Sequence, residues 1–246
     1  MRRCLAGRQA RRSSNEHARL LCSNAIHSAT ANSNLLMSRI LLTSGPTRQH
    51  LDPIRYLTNG SSGRMGKALA EAALEAGHEV TIVSGPVAID YPRSAEVLPV
   101  VSTEEMLEVC LRIFPACDGL IAAAAPCDYR PKVVAARKIH RTGGTLEVEF
   151  VETPDIVGRL GQIRTSQWMV AFALETEDLR MRAMQKLERK KCDLIVVNGP
   201  AAMDADDTRI EVLDTQGEVV AAVAGSKRKA AKALVRVIQA RLMHIN

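Results

Sequence analysis

The segment Arg55-Tyr-Leu-Thr-Asn-Gly-Ser-Ser-Gly-Arg-Met-Gly66 combines the residue types that hold a phosphate. Gly60, Gly63 and Gly66 let a backbone approach an anion closely, and Ser61 and Ser62 add hydroxyl donors. Where such a loop opens a helix, unpaired N–H groups and a partial positive charge face the ligand. The same spacing also suits an ordinary turn, so the glycines alone name no chemistry. Just upstream runs a polar set, Thr47, Arg48, Asp52, Arg55, Thr58 and Asn59. An arginine and an asparagine beside a phosphate loop suit a phosphorylated substrate that also bears an amide or a carboxylate.

A second constellation follows at Ala122–Pro131, Ala-Ala-Ala-Ala-Pro-Cys-Asp-Tyr-Arg-Pro. Residues as small as Ala123, Ala124 and Ala125 let a flat ring lie against a strand end. Asp128 could hold a metal or a nucleotide hydroxyl, or simply form the turn before Tyr129. Lys132, Arg137, Lys138, His140 and Arg141 come next. Singly each reads as a solvated charge; together they could neutralise phosphates and a developing oxyanion. Lys186, Arg189 and Lys190 end a helix, where its dipole favours cations in any case. His78, His140 and His244 stand apart without ligand spacing, which gives no reason to expect zinc.

The elements that must position these groups alternate. Arg39–Gly45 reads as a buried strand. Met65, Ala68, Leu69, Ala72, Ala73 and Ala76 recur at helical spacing, with Gly77 as the stop. Strands follow at Glu79–Gly85 and Val97–Val101, then a helix opened by Ser102 or Thr103 with Glu105 nearby. Gly119–Ala125 is a strand of very small residues. The stretch from Arg137 through Thr142-Gly143-Gly144 to Val151 reads as a β-ribbon, with Leu146, Val148 and Phe150 on one side. A helix near Asp155–Ile163, a strand Trp168–Leu174, a helix Leu179–Lys191 and a strand Asp193–Asn198 come next. A hairpin turning at Gln216-Gly217 precedes a last helix, Lys227–Leu242. This alternation predicts a three-layer, Rossmann-like domain: a mostly parallel sheet, helices on both faces and one inserted ribbon.

Composition narrows the class. The chain has 246 residues, 46% hydrophobic but only 3% aromatic, so its core is expected to be aliphatic. No apolar run approaches the roughly 18 residues of a membrane span. The net charge of +6 is concentrated in residues 1–36, where six arginines oppose the single Glu16, a net of +5. The remainder is near neutral, which argues against a nucleic-acid-binding body. Those 36 residues read as a disordered leader, either an organelle-targeting peptide or an upstream extension of a chain that begins at Met37. Six cysteines without a C-x-x-C pair fit reduced thiols in a cytoplasm.

A nicotinamide-dependent oxidoreductase is the obvious reading of a glycine loop in such a fold, and it fails three times. In dinucleotide binders the glycines follow the first strand directly; here about fifteen residues, Pro46 to Gly60, intervene. The second strand ends in Ser84 and Gly85 rather than at a ribose-binding acid. Tyr56, Tyr91 and Tyr129 are followed four residues on by Gly60, Ala95 and Val133, so there is no Tyr-x-x-x-Lys pair.

In their order, ILLTSGPTRQHLDPIRYLTNGSSGRMG, EVTIVSGPV, AAAAPCDYRPK, ARKI, TPDIV, VAFALETED and KLERKKCDLIVVN resemble the phosphopantothenoylcysteine synthetase family. The resemblance covers nearly all of residues 38–242 and is to the bacterial type, in a free-standing form without the usual flavin-dependent decarboxylase domain. It implies a ligase of coenzyme A biosynthesis. The carboxylate of 4'-phosphopantothenate attacks CTP to give an acyl-cytidylate and pyrophosphate, and the amine of L-cysteine then displaces CMP. It further implies Mg2+, a homodimer whose ribbon reaches the partner's site, and a separate phosphopantothenoylcysteine decarboxylase as a partner. By resemblance, Asn59 holds the acyl intermediate, with Arg55 and the Gly60–Gly66 loop binding substrate. Ala123, Ala124, Ala125, Asp128, Met169, Val170, Ala171, Phe172, Lys186 and Lys190 meet the nucleotide, and Lys138 processes the acyl-nucleotide. Pro126-Cys127 in place of the usual Val-Ala, Ala171 for a glycine, and Met203-Asp-Ala-Asp206-Asp207 depart from the family pattern and bear on the choice of CTP.

Overall fold

Arg39–Ser44 forms the central strand, β1, of a computed structural model that describes residues 37–174, 179–198 and 207–243. All of β1 but its first residue is buried, because both faces of the strand are covered; hence its unbroken apolar run. It pairs in parallel with β4 (Glu79–Ser84) on one side and β6 (Gly119–Ala122) on the other. Beyond β4 lies β5 (Glu96–Pro99); beyond β6 lie β9 (Trp168–Leu174) and β10 (Leu194–Asn198), all parallel. The antiparallel hairpin β11 (Asp207–Asp214) and β12 (Val219–Ser226) completes an eight-stranded sheet in the order β12-β11-β10-β9-β6-β1-β4-β5. The chain leaves β1 toward β4 and β5, then crosses back to β6. The crevice where the winding reverses is therefore bounded by the carboxyl ends of β1 and β6.

Helices cover both faces, as the alternation predicts. On one face, Leu69 of α1 (Arg64–Glu75) and Leu234 and Ile238 of α5 (Lys227–Arg241) pack with Ile40, Leu42 and Ile82. On the other, Met106 of α2 (Thr103–Ile113), Leu160 of α3 (Ile156–Ile163) and Leu187 of α4 (Leu179–Lys190) pack with Leu41, Val83 and Leu120. Adjacent β1 residues thus feed opposite cores, and each fully buried leucine or isoleucine contributes roughly 1.5–3 kcal/mol.

Helix starts follow local chemistry. Ser102 Oγ accepts from the Glu105 N–H while Glu105 Oε2 accepts from the Val101 N–H. Asp155 and Ser226 cap α3 and α5 in the same way, accepting from Gly158 and Lys229 N–H groups.

Two expectations change. The polar segment between β1 and the glycines is a small hairpin, β2 (Arg48–His50) against β3 (Tyr56–Thr58), whose strands no periodicity announced. The expected ribbon is reduced to its base, β7 (Tyr129–Pro131) against β8 (Phe150–Glu152). Lys132 N–H donates to Glu149 O just above it, but residues 133–148 form no ladder. Alternation makes a strand when its apolar face has something to cover, and here Leu146 and Phe150 stay exposed. Among the described residues, no helix is long and apolar enough to cross a membrane.

Candidate active site

A cleft of about 440 Å³ opens at the crevice between β1 and β6. One wall is Asn59 to Gly66, the other Ala122 to Pro126 with Asp128; Ala171, Phe172, Lys186 and Lys190 close the far side. The glycines have distinct tasks. Gly63 stands before α1 with a left-handed φ of 75°, and a Cβ there would press on Val87 and Ile89. A Cβ on Gly66 would overlap the side chain of Ser44, so this glycine brings α1 onto the end of β1. Gly60, Ser61 and Ser62 line the cleft itself. The first turn of α1 carries no acid, so no carboxylate offsets the positive end of its dipole there.

Under this loop, Tyr91 OH donates to Ser44 Oγ at 2.8 Å and lies 2.9 Å from Ser84 Oγ. Ser84 also donates to Gly85 O. The end of the second parallel strand is thus a closed hydroxyl network and offers no carboxylate to a ribose, against the oxidoreductase reading.

The opposite wall is pinned to β1. Ala123 and Ala125 N–H groups donate to Thr43 O and Gly45 O, and Ala124 N–H donates to Thr43 Oγ1. The three alanines therefore present methyl groups and carbonyls to a ligand, with their N–H groups already used. Asn59 bridges the two walls, its Nδ2 donating to Ala125 O at 3.2 Å and Pro126 O at 2.9 Å. Cys127 beyond it is buried, its N–H donating to Thr47 Oγ1 and its carbonyl accepting from Thr103 and Thr153 hydroxyls. The departure Pro126-Cys127 is thus locked in place by three threonines.

Lys186 and Lys190, one turn apart on α4, face the cleft. Lys190 Nζ sits 2.8 Å from Asp155 Oδ1. Burial opposes ionisation of Asp155, but Lys190 and the Gly158 N–H outweigh it and hold the carboxyl below its ordinary range. The two cations are therefore cleft residues as well as favourable helix ends.

Four residues expected at the site lie elsewhere. Met169 and Val170 are fully buried in the two cores, level with Leu120 and Ile121 in mid-sheet. The cleft begins one residue later, where Ala171 pairs with Ala122 at the end of β6. Arg55 and Lys138 do not line it either. Arg55 reaches away from it, its Nη1 contacting Asp52 Oδ2 at 3.2 Å and donating to Ile139 O at 3.0 Å, and Lys138 is exposed on the neighbouring loop.

The cleft also gathers residues of the recognised segments and of the last helix that were given no role at the site: Thr43, Arg64, Ile156, Val157, Asn198 and Lys227. Among the described residues, Asn198 Oδ1 is buried and accepts no hydrogen bond, although it ends a parallel strand, the position where ligands are met. Cys110, Cys117, Cys127 and Cys192 are free and buried, and burial pushes Cys110 and Cys192 up to about 12, which leaves no ready thiolate among them. Among the described residues no three His, Cys, Asp or Glu groups gather to bind a metal. Met203–Asp206, the Asp207 side chain and His244 lie outside the described residues.

Fold and site together define a doubly wound α/β protein with an anion-suited crevice at its switch point. Residues 35–242 match the DNA/pantothenate metabolism flavoprotein C-terminal domain, and the chain belongs to that family. It is 42% identical over 167 residues to the coenzyme A biosynthesis bifunctional protein CoaBC of Bacillus subtilis, covering 68% of this chain and 41% of that protein. Against CoaBC of Vibrio cholerae the identity is 44% over 167 residues, covering 67% and 42%. The chain thus spans about two fifths of the length of these curated relatives. The crystal structure of the C-terminal domain of a CoaBC protein superposes with a TM-score of 0.72 at 34% identity, covering 85% of this chain and 98% of that one. The DNA/pantothenate metabolism flavoprotein from Streptococcus pneumoniae shares the fold, with a TM-score of 0.74 at 24% identity over 82% and 99% of the two chains.

Proposed function

We propose that this chain is a phosphopantothenate–cysteine ligase that uses CTP. In the first step a carboxylate oxygen of 4'-phosphopantothenate bonds to the α-phosphorus of CTP, the bond to the β-phosphate breaks, and pyrophosphate leaves. In the second, the cysteine nitrogen bonds to the acyl carbon, the bond to CMP breaks, and the ammonium protons pass to solvent. A carboxylate is a poor acylating agent, and the mixed anhydride supplies the leaving group it lacks.

The observation that carries this reading is the meeting of two differently suited walls in one cleft. The α1 end with Gly60, Ser61 and Ser62 suits a phosphorylated substrate. The methyl-lined end of β6 beside Phe172, Lys186 and Lys190 suits a flat base carrying a triphosphate. Asn59 joins the two at the place where carboxylate and α-phosphate would meet. Magnesium fits as a companion of the nucleotide: among the described residues the cleft offers one carboxylate, Asp128, and such ions are commonly held by one or two carboxylates together with substrate phosphates. Bound there, it would screen the triphosphate from its anionic attacker.

Lys138 stands outside the cleft of its own chain, which favours a homodimer in which the loop of one copy completes the site of the other. The ligase product keeps the cysteine carboxylate, so a separate flavin-dependent phosphopantothenoylcysteine decarboxylase is the expected consumer.

Purified protein should release pyrophosphate from CTP only when 4'-phosphopantothenate is present, and CMP once cysteine is added. ATP, GTP and UTP run in parallel test the choice of nucleotide. No turnover of any of the four would reject the ligase.

A further inference from the structure

Asp52 stands in the polar run upstream of the glycines but was given no role there, yet it is the most heavily bonded carboxylate near the site. Its side chain has no exposed surface. Oδ1 accepts from the N–H groups of Ile54 and Arg55, both at 2.8 Å, which closes the turn between β2 and β3. Oδ2 accepts from the Ile139 N–H at 3.1 Å and from Arg55 Nη1 at 3.2 Å. The same Arg55 nitrogen donates to Ile139 O at 3.0 Å. The peptide groups on both sides of Ile139 are thus gripped by a single ion pair, its carboxylate buried and its guanidinium partly exposed. Four residues earlier, Ala135 N–H donates to Leu51 O at 3.0 Å and ties the loop to the same turn a second time. Between these two ties, Ala136, Arg137 and Lys138 are exposed, and Lys138 immediately precedes the clamped residue.

We propose that Asp52 is a positioning residue for Lys138: it locks Arg55 and the Ile139 backbone into one unit, so that the Lys138 ammonium is presented in a defined place rather than on a free loop. The proposal rests on the ligase reading, in which Lys138 acts on the acyl-nucleotide. A carboxylate is needed because four donors converge on two oxygens. An asparagine keeps one acceptor oxygen but turns an N–H2 toward Ile139 N–H or toward Arg55. Misplacement of a reacting group by about 1 Å can cost on the order of 100-fold in rate, so a loosened loop should be visible in turnover.

The test is a double-mutant cycle on the full chain, reading cysteine-dependent CMP release from CTP and 4'-phosphopantothenate. Asp52→Asn should slow it about tenfold or more in the wild-type background and less than about twofold in the Lys138→Gln background. Equal factors in both backgrounds would mean a general structural role and would overturn the proposal, as would an unchanged rate in the single variant. A second readout needs no activity. Brief trypsin treatment of the folded protein should cleave after Arg137 and Lys138 several-fold faster in Asp52→Asn, with fragments identified by mass; equal cleavage rates would overturn the clamp. Ile139→Pro removes the N–H at the other end of the contact and carries the same test if Asp52→Asn does not fold, with cleavage read after Arg137 alone because trypsin does not cut before proline. If wild-type protein turns over no nucleotide, the ligase reading falls; if it does and Asp52→Asn matches it, only the positioning role falls.

Discussion

Asn59 is the residue on which both walls of the cleft depend. Its amide donates to two carbonyls across the gap, Ala125 O and Pro126 O, so its side chain both shapes the cleft and stands where an acyl group would sit. Asn59→Ala deletes those donors and should lower ligation by about tenfold or more, since losing paired donors costs roughly 1–3 kcal/mol. Asn59→Asp should be worse, because a carboxylate would face two carbonyl oxygens and an incoming substrate carboxylate. Steady-state rates of the two variants decide; an aspartate variant more active than the alanine one would refute this account. Ala125 and Asp128 were legible in the sequence because they follow the end of β6, and parallel strands bring their carboxyl ends together; Asn59 and Gly60 were legible because they open the glycine loop that leads into α1. The task of Asp52 escaped, although the residue stood in the polar run, because its partner Ile139 is 87 residues away and no pattern links the two. Met169 and Val170 were placed at the site for the opposite reason. A motif names a strand but not the height at which the sheet ends, and the pairing of Ala171 with Ala122 sets that height.

At the scale of elements, the parallel strands were readable as apolar runs and the helices as period-3.6 stripes, since burial on one or both faces imposes those patterns. The ribbon was not, because its alternation describes a face that one chain leaves uncovered. The junction of β1, α1 and α5 holds another feature hidden from periodicity. His78 is buried just after α1; its Nδ1 accepts from the Ser38 N–H at 3.2 Å, and its Nε2 lies 3.1 Å from the Gln239 amide on α5. Accepting at Nδ1 requires the tautomer that carries its proton on Nε2. Burial lowers the imidazole below its ordinary 6.5, so the unfolded chain takes up the proton first as pH falls. The neutral ring's contribution is therefore complete above the unfolded value and is lost as pH drops through the folded one. Thermal midpoints measured between pH 8 and pH 5 should fall on acidification in the wild type. His78→Gln, which can still accept from Ser38, should lose about 1 kcal/mol at pH 8 and show a flatter slope. A slope unchanged by the substitution would remove His78 as its source.

For the whole molecule, the question is whether one chain holds a complete site. Asn59 lines the cleft and Lys138 does not, and the loop that carries Lys138 exposes apolar groups among its charges: Val133 is 78% exposed and Leu146 58%, with Phe150 at the base of the loop. Tyr56 and Leu57, exposed as well, lie on β3, which pairs with β2, the strand that contacts β7. Exposed apolar groups gathered this way mark a surface meant to be covered. A second copy of the chain would cover it and bring a Lys138 to each cleft. A two-fold dimer built so has a property that isolated chains lack. Mix Asn59→Asp protein with Lys138→Gln protein, each nearly inactive alone, and let subunits exchange. In a mixed dimer one site collects both lesions and the other collects neither. With random exchange half the dimers are mixed, so activity should return to about one quarter of wild type. Recovery near that level, absent when exchange is blocked by brief crosslinking before mixing, would place Lys138 in the partner's site. If capture through an affinity tag on one variant brings down the other and no activity returns, each chain must supply its own lysine, and the loop from Val133 to Phe150 would have to close over the cleft of the chain that carries it.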